Sequence, residues 1–116
     1  MTENKRTVER YMDGFRRGDH AEILSCLTDD VEWLIPGFFH AAGKDAFDAQ
    51  IENEGFVGRP IITTTRMTEE NDVVVAEGTV RTQKASGEPV NLVFCDVFVM
   101  QGGRIRQLIS YLMEVR

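Results

Sequence analysis

Four consecutive segments rich in β-branched and aromatic residues fill the second half of this chain and constrain its fold more than any other feature. Such residues favour pleated strands. The predicted strands are Ile61–Met67, Val73–Gln83, Val90–Met100 and Ile105–Met113. They are separated by turn-forming runs, namely Glu70-Asn71-Asp72, Ala85-Ser86-Gly87-Glu88-Pro89 and Gln101-Gly102-Gly103. Strands joined by turns this short pair as an antiparallel meander.

The first third of the chain has helical periodicity instead. Its apolar residues recur at the spacing of one helix face, at Val8, Tyr11, Met12 and Phe15. Gly18 is typical of the residue that ends a helix in a left-handed conformation. Asp19 then predicts the N-cap of a second, short helix, with Glu22 in the capping-box position. We expect His20, the first residue after this cap, to be solvated.

A strand and a third helix complete the first half. Thr28–Asp30 predicts a turn, Val31–Ile35 a strand closed by Pro36-Gly37, and a loop carrying His40 follows. A third helix is predicted over about Asp45–Glu54. The layout is α+β: three N-terminal helices packed on one face of a strongly bent antiparallel sheet with a mixed edge. The 116 residues are expected to form one domain, 1–116, with a single core.

The charge of the chain and the placement of its cysteines argue against several classes of partner and site. The net charge is -6, and lysine and arginine are scattered, which argues against nucleic acid and against anionic membranes. Cys26 and Cys95 lie in apolar runs without metal-ligand spacing and read as reduced, buried side chains. The N-terminus shows no secretory h-region and no segment is long enough to span a bilayer, so a cytoplasmic location is expected.

The predicted strand Leu92–Met100 is apolar on both faces. One face carries Leu92, Phe94, Phe98 and Met100, and the other carries Val93, Cys95, Val97 and Val99. A half-solvated antiparallel strand would alternate apolar and polar residues. Because the helices can cover one face only, we expect the outer face to meet a second copy in a homodimer.

Asp96 interrupts the inner face of this strand between Phe94 and Phe98. An isolated ionised carboxylate is expensive in such surroundings, so the group either finds a partner or stays protonated. Two interpretations remain open, a structural ion pair or hydrogen bond that holds the core in register and a role in a pocket. An Asp96→Leu substitution is expected to be tolerated or stabilising in the second case. If Asp96 is half of a buried ion pair, the loss is expected to be about 3–5 kcal/mol.

Several runs of the sequence resemble the ketosteroid isomerases and SnoaL-like polyketide cyclases of the nuclear-transport-factor-2-like superfamily. The resemblance is carried by Val8-Glu9-Arg10-Tyr11-Met12, Gly18-Asp19, Leu27-Thr28-Asp29-Asp30-Val31-Glu32, Cys95-Asp96-Val97-Phe98, Gly102-Gly103-Arg104-Ile105 and Ser110-Tyr111. It covers nearly the whole chain and implies a cone of helices and bent sheet around an apolar pocket. It specifies the fold better than the activity, because this superfamily hosts many functions.

The resemblance also implies roles for individual residues. Tyr11 matches the family's hydroxyl donor and Asp96 its protonated carboxylic acid, which together bind an oxyanion. The family's catalytic base falls at Ile35, which cannot accept a proton, so standard steroid isomerisation is not expected. Ile51 similarly replaces a supporting tyrosine. The walls of the pocket are expected to be apolar and to include Trp33, Ile35, Phe47, Ile51, Phe94, Phe98 and Leu108.

His40 is the candidate general base, because it follows Pro36-Gly37 near the expected pocket mouth and histidine titrates near neutrality. The alternatives are an exposed loop histidine and, for Tyr11, a core tyrosine whose hydroxyl reaches the surface. Two histidines without helical metal-ligand spacing predict no metal site, and the absence of a glycine-rich phosphate loop predicts no nucleotide cofactor.

Three functions are compatible with these features. The first is a cofactor-independent enzyme that isomerises or cyclises a small hydrophobic carbonyl compound, with Tyr11 and Asp96 as donors and His40 moving the proton. The second is a binding module for a steroid-, polyketide- or aromatic-like molecule that has lost the base, as Ile35 suggests. The third is a dimerising platform in which large side chains fill the cone.

Overall fold

The computed structural model of the chain describes residues 1–52 and 56–115, with backbone only for residues 56–58. The elements in chain order are α1 (Glu3–Arg17), α2 (His20–Ser25), β1 (Leu27–Ile35), β2 (Phe39–Ala42), α3 (Lys44–Ile51), β3 (Phe56–Glu70), β4 (Val73–Lys84), β5 (Pro89–Gln101) and β6 (Arg104–Glu114). The α+β layout expected from the sequence, with helices followed by a strand meander, is therefore confirmed.

The two N-terminal helices are delimited by the capping residues that the sequence indicates. Gly18 ends α1 in the left-handed conformation with φ of 66°, which a residue without Cβ adopts freely. Asp19 caps α2, and its Oδ1 accepts a hydrogen bond from the Glu22 backbone N–H at 3.0 Å. This sharp junction turns α2 against α1, so that Ile23 is completely buried.

The six strands form one mixed sheet in the order β2-β1-β6-β5-β4-β3. Strand β1 is parallel to β6, whereas all other neighbours are antiparallel. The ladder of β3 with β4 shifts register between Val57 and Ile61 and between Thr64 and Arg66. Such irregularities bend strands and increase their twist, which allows the sheet to curve around the helices.

The core lies between the helices and the concave face of the sheet. Alternation along β5 directs Phe94, Asp96, Phe98 and Met100 inward, where all four are buried. Helix α1 contributes Val8, Tyr11 and Met12 to the same core, and α3 contributes Phe47. None of the helices in the described part of the chain has the length and hydrophobicity needed to cross a bilayer.

The sequence predictions were wrong in the region between residues 27 and 42. Thr28–Asp30, predicted as a turn, belongs to β1, and the loop predicted around His40 is strand β2. β2 folds back on β1 through a turn in which the Phe38 N–H donates to the Ile35 carbonyl at 2.9 Å. Two exposed aspartates and a four-residue strand give little periodic signal, so pairing with neighbouring strands decides their conformation.

The third helix and the remaining strands agree with prediction apart from their ends. Helix α3 begins at Lys44 and ends at Ile51, whereas the prediction extended to Glu54, which lies outside the described residues. Strand β3 is longer than Ile61–Met67 at both ends, because β4 offers a continuous antiparallel partner.

Candidate functional site

A cavity of about 480 Å³ opens between the helices and the concave face of the sheet. Helices α1 and α3 and all six strands of the sheet contribute to its lining. Most of the lining side chains are apolar, including Met12, Phe15, Ile62, Val80, Leu92 and Leu112. This volume is within the range of small-molecule pockets in proteins.

The cavity has a buried end and an exposed mouth. Tyr11, Trp33, Phe94, Asp96 and Ser110 line it and retain between 2% and 9% of their surface. The mouth is lined by Gln50, Glu52 and Arg59, which are exposed. Polar groups are therefore found at both ends, with apolar side chains between them.

Asp96 lies at the buried end because β5 alternation places it on the inner face, between Phe94 and Phe98. Its Oδ1 atom is inaccessible to solvent and has no hydrogen-bond partner among the described residues. Burial raises the pKa of Asp96 from its ordinary value of 3.8 to about 7, and hydrogen bonding by the Ser110 hydroxyl offsets part of the effect. The carboxyl group is thus substantially protonated near neutral pH, and a protonated carboxyl is a hydrogen-bond donor.

Ser110 connects Asp96 to the aromatic wall of the cavity. It is the cross-strand neighbour of Asp96 in the β5–β6 ladder, and its hydroxyl oxygen accepts a hydrogen bond from the Trp33 indole N–H at 3.0 Å. Since that indole donor is committed to Ser110, the Ser110 hydroxyl proton is directed elsewhere, and the Asp96 carboxyl is its neighbour. The three side chains form a polar chain within an otherwise apolar floor.

Tyr11 reaches the same end of the cavity from α1. Its ring packs edge-on against Phe98 at 5.4 Å and against Phe15 at 5.1 Å between centroids. No described residue forms a hydrogen bond with its hydroxyl. Burial raises the pKa of Tyr11 well above its ordinary value of 10.0, and negative charge on nearby Asp96 raises it further. Tyr11 therefore remains a neutral O–H donor.

Four of the seven residues expected on the pocket wall line the cavity, namely Trp33, Ile35, Ile51 and Phe94. The other three, Phe47, Phe98 and Leu108, do not reach it and are completely buried. Phe47 stacks on Trp33 with centroids 4.5 Å apart, and Phe98 packs behind Tyr11. They support the lining side chains from behind, so they hold the shape of the cavity without being available to a ligand.

His40, expected as the general base at the pocket mouth, is outside the cavity lining. Alternation along β2 turns Phe39 and Ala41 inward and His40 outward, where its side chain is 55% exposed. Its Nε2 lies 3.0 Å from Glu32 Oε2 on β1. His40 therefore does not meet Tyr11 and Asp96, whereas Ile35, where the resemblance places the family's base, does line the cavity.

His20 is more engaged than its position after the Asp19 cap suggests. Its Nδ1 lies 2.6 Å from Asp48 Oδ1, and its Nε2 lies 2.8 Å from Glu52 Oε1. These two hydrogen bonds raise the pKa of His20 above its ordinary value of 6.5. The contact ties α2 to the C-terminal end of α3, beside the cavity mouth.

Sequence reasoning did not identify Ser110 and Arg59 as lining residues. Ser110 could have been found only with the correct β5–β6 register, which depends on a bulge between Val99 and Met100. Arg59 precedes Pro60 at the beginning of the β-rich half, and no periodic pattern distinguishes it from a solvated arginine. Its position is a consequence of how β3 passes the end of α1.

The arrangement can bind an oxygen atom at the buried end of an apolar cavity. Two neutral O–H groups, on Tyr11 and Asp96, have desolvated surroundings in which hydrogen bonds and charges interact strongly. Within residues 1–52 and 56–115, no group of three or more histidine, cysteine or acidic side chains is placed to hold a metal ion.

Solved structures of similar fold come from several bacteria. An NTF2-like protein of unknown function from Burkholderia pseudomallei has a TM-score of 0.91 at 23% identity, covering 97% of this chain and 92% of that one. A proposed polyketide cyclase from Xanthomonas campestris gives 0.85 at 22% identity, covering 94% and 89%. An epoxide hydrolase of the LEH-like type from M. tuberculosis gives 0.83 at 21% identity, covering 96% and 83%. These likenesses show a common fold.

No curated protein matches the sequence. The family model of the SnoaL-like domain, in contrast, matches residues 8–108, which include Tyr11, Asp96 and all but the last part of the sheet. The resemblance seen in the sequence is thereby confirmed: the chain belongs to the SnoaL-like domain family.

Proposed function

We propose that this protein binds a small, mostly apolar molecule with a carbonyl or hydroxyl oxygen at its buried end, and that Tyr11 and protonated Asp96 donate hydrogen bonds to that oxygen. The observation that carries the proposal is the buried, unpartnered Oδ1 of Asp96 in the cavity lining. Buried polar atoms in folded proteins nearly always have a partner, so an orphaned one in a cavity favours a ligand that supplies it.

The same pair would stabilise negative charge that develops on a ligand oxygen. When solvent water takes a proton from the carbon next to a carbonyl group, the electron pair of the C–H bond forms a carbon–carbon double bond and the π pair of the carbonyl group moves to the oxygen. Two desolvated O–H donors facing that oxygen lower the barrier for this step. This supports a cofactor-independent isomerisation or cyclisation of a steroid-, polyketide- or aromatic-like carbonyl compound.

The proposal is tested by the pH dependence of binding. An acetyl-substituted biphenyl is titrated into the wild-type protein and its variants by calorimetry. Wild-type affinity is expected to fall as the pH rises through about 7, because ionised Asp96 can no longer donate. Asp96→Asn keeps an N–H donor and is expected to make the affinity independent of pH in this range. Tyr11→Phe is expected to weaken binding about tenfold, through the loss of one buried hydrogen bond.

Two controls belong to this experiment. Thr68→Val removes a hydroxyl from an exposed position on β3 outside the cavity lining and is expected to leave affinity unchanged. Ethylbiphenyl has the shape of the probe without its oxygen. The wild-type protein is expected to bind it more weakly than the acetyl compound. The wild-type protein and Tyr11→Phe are expected to bind ethylbiphenyl with the same affinity. Equal binding of both probes, with no pH dependence, contradicts the proposed role of the donor pair.

A second candidate function, binding without turnover, is favoured because none of the described residues places a base beside the pair. Ile35 lines the cavity where the family has its catalytic base, and His40 faces outward. Among the described lining residues, the only other carboxylate is that of Glu52 at the exposed mouth. Exchange of acetyl methyl protons for solvent deuterium separates the candidates: protein-accelerated exchange supports catalysis, and binding without exchange supports a binding protein.

We also propose that the outer face of the sheet forms a homodimer interface. Apolar side chains of β5 and β6 form this face, and Val93, Tyr111 and Met113 are 39%, 51% and 68% exposed. Cross-strand pairing aligns Val93 with Met113 and Cys95 with Tyr111 in a continuous patch. Exposed apolar surface of this kind favours association with a second copy.

The dimer is tested by sedimentation equilibrium. The wild-type protein is expected to have twice the 13.1 kDa mass of the chain. Val93→Glu places a charge within the patch and is expected to shift the protein to monomer. Ala49→Glu, which adds the same charge at an exposed position on α3, is expected to leave the dimer intact. A wild-type protein that remains monomeric at all concentrations contradicts the proposal.

A further inference from the structure

The mouth of the cavity carries an arginine that has no partner among the residues that the structure describes. Arg59 lines the cavity and is exposed, and no described residue forms an ion pair or hydrogen bond with it. Its position is defined by the end of α1: a Cβ added to Gly18 would lie 3.6 Å from Arg59 Nε. Gly18 is itself a lining residue, so the guanidinium group lies at the rim of the cavity.

The charged groups described near Arg59 have other partners. Glu52, the other charged residue described at the mouth, has its Oε1 2.8 Å from His20 Nε2, and His20 also contacts Asp48. Hydrogen bonds to Asp48 and Glu52 raise the pKa of His20, which favours its positively charged form beside these two carboxylates. A second guanidinium, that of Arg16, donates to the backbone carbonyl of lining residue Ile62 at 2.8 Å. Two guanidinium groups, those of Arg16 and Arg59, therefore lie beside this part of the rim without a described carboxylate partner, in a chain of net charge -6.

We infer that the ligand carries an acidic group at the end opposite its buried oxygen, and that Arg59 selects for it. This inference rests on the proposed function, since it assigns the other end of the same ligand. A guanidinium group presents paired N–H donors that match a carboxylate in geometry and charge. The specificity is thus for an elongated aromatic or polyketide-like acid rather than for an uncharged molecule of the same shape.

The apolar middle of the cavity fits this two-ended ligand. Phe15, Ile35, Ile51 and Leu92 lie on the lining between the polar floor and the polar rim and would contact an apolar body. A carboxylate directed to the floor instead would lose its hydration without meeting a cationic side chain, because Arg59 is the only cation among the described lining residues, and burying an unpaired charge is unfavourable. The charges of the cavity therefore orient the ligand, with its acid at the mouth and its carbonyl or hydroxyl oxygen inside.

Three rigid probes test this inference together with the function on which it rests. The first is a biphenyl with an acetyl group at one end and a carboxylate at the other. The second is its methyl ester, which lacks the charge, and the third has an ethyl group in place of the acetyl group. Dissociation constants are measured by calorimetry for the wild-type protein, Arg59→Gln, and Arg81→Gln as a control that removes the same charge.

Arg81 is a matched control because it is exposed on β4 between lining residues Val80 and Thr82 and is not itself a lining residue. The wild-type protein is expected to bind the acid about fivefold more tightly than the ester, as for a partly exposed ion pair. Arg59→Gln is expected to abolish this preference, and Arg81→Gln to retain it. Raising the salt concentration is expected to reduce the preference in the wild-type protein.

The possible outcomes separate the inference from the proposed function. If acid and ester bind the wild-type protein equally, or if Arg59→Gln keeps the preference for the acid, the inference is wrong while the donor pair stands. If the acetyl and ethyl compounds bind equally, the proposed role of the donor pair is wrong. Failure of all three probes to bind contradicts both proposals. A preference for the acid that requires Arg59, with a separate preference for the acetyl group, supports both.

Discussion

Replacing Asp96 with asparagine is expected to stabilise the protein by up to about 4 kcal/mol above neutral pH and to have little effect near pH 4. The pKa of Asp96 rises from 3.8 to about 7 on folding because the carboxyl group is buried. Each unit of pKa difference corresponds to about 1.4 kcal/mol, so a three-unit shift gives the upper limit.

The sign of the effect follows from proton binding. Between about pH 4 and pH 7 the folded state holds a proton on Asp96 that the unfolded chain has lost. The free energy of unfolding therefore falls as the pH rises through this interval, and the loss is complete once Asp96 is ionised in the folded state. Asparagine has no such titration, which is why the variant gains most above pH 7.

Urea unfolding followed by circular dichroism at about pH 5 and about pH 9 measures this difference. Asp29→Asn is the control, because its side chain is 98% exposed and the change in net charge is the same. The free energy of unfolding of that variant is expected to equal that of the wild-type protein at both pH values. An Asp96→Asn gain that is equal at both values of pH would show that the carboxyl group does not titrate in this range.

The surroundings of Asp96 also determine what Asp96→Leu is expected to do. No described residue forms a salt bridge with Asp96 or a hydrogen bond with its Oδ1. Removing the carboxyl group leaves no buried charge behind, so this variant is expected to be neutral or stabilising at neutral pH. A loss of several kcal/mol would instead reveal a buried pair. Stability gained at the expense of ligand binding is the pattern expected of a polar group retained for function.

Gly78→Ala is expected to destabilise the fold by about 3 kcal/mol or more, because the new methyl group has no room. A Cβ on Gly78 would lie 1.9 Å from the Thr63 carbonyl oxygen of β3 and 2.8 Å from Cε2 of Phe94 on β5. The Thr63 carbonyl group is part of the backbone and cannot rotate away as the end of a flexible side chain can. Strand β3 must therefore move away from β4. Ile62 and Val80 line the cavity on these two strands, and ligand binding is expected to fall as well.

Gly87→Ala provides the contrast for this prediction. Gly87 has a φ of 89° in the turn between β4 and β5, and a Cβ there would meet nothing within 4 Å. Backbone strain is the main expected effect, and a loss of about 1 kcal/mol is expected from urea unfolding. If Gly78→Ala proves no less stable than Gly87→Ala, the close approach of β3 and β4 is not a constraint on the fold.

The fold was predictable where a local pattern and the final packing agree. The apolar stripe of α1, Gly18 and Asp19 each act over a few residues, and their structural roles follow directly from the sequence. The meander was predictable for the same reason, since turn residues separate long β-rich segments. Strand β2 and the parallel pairing of β1 with β6 were not, because they depend on distant partners and not on local preference.

The site was predictable only in part, and one bulge accounts for much of the difference. If β5 and β6 paired without a bulge from the Gly102-Gly103 turn onward, Asp96 would pair with Ile109. The register shift between Val99 and Met100 moves the partner by one residue, so that Asp96 faces Ser110. A shift of one residue exchanges the faces of a strand, and no sequence pattern marks where it occurs. His40 was predicted to lie in a loop near the cavity mouth for a similar reason, because the face to which it points depends on the pairing of β2.

The hydrogen bond from Trp33 to Ser110 gives this protein an optical reporter. Trp33 is the only tryptophan of the chain, and its indole N–H is committed to Ser110, the cross-strand neighbour of Asp96. Gain or loss of a proton on Asp96, or arrival of a ligand, changes the electric field and the solvation around the indole ring. Its fluorescence spectrum therefore follows occupancy of the cavity floor in the unlabelled protein.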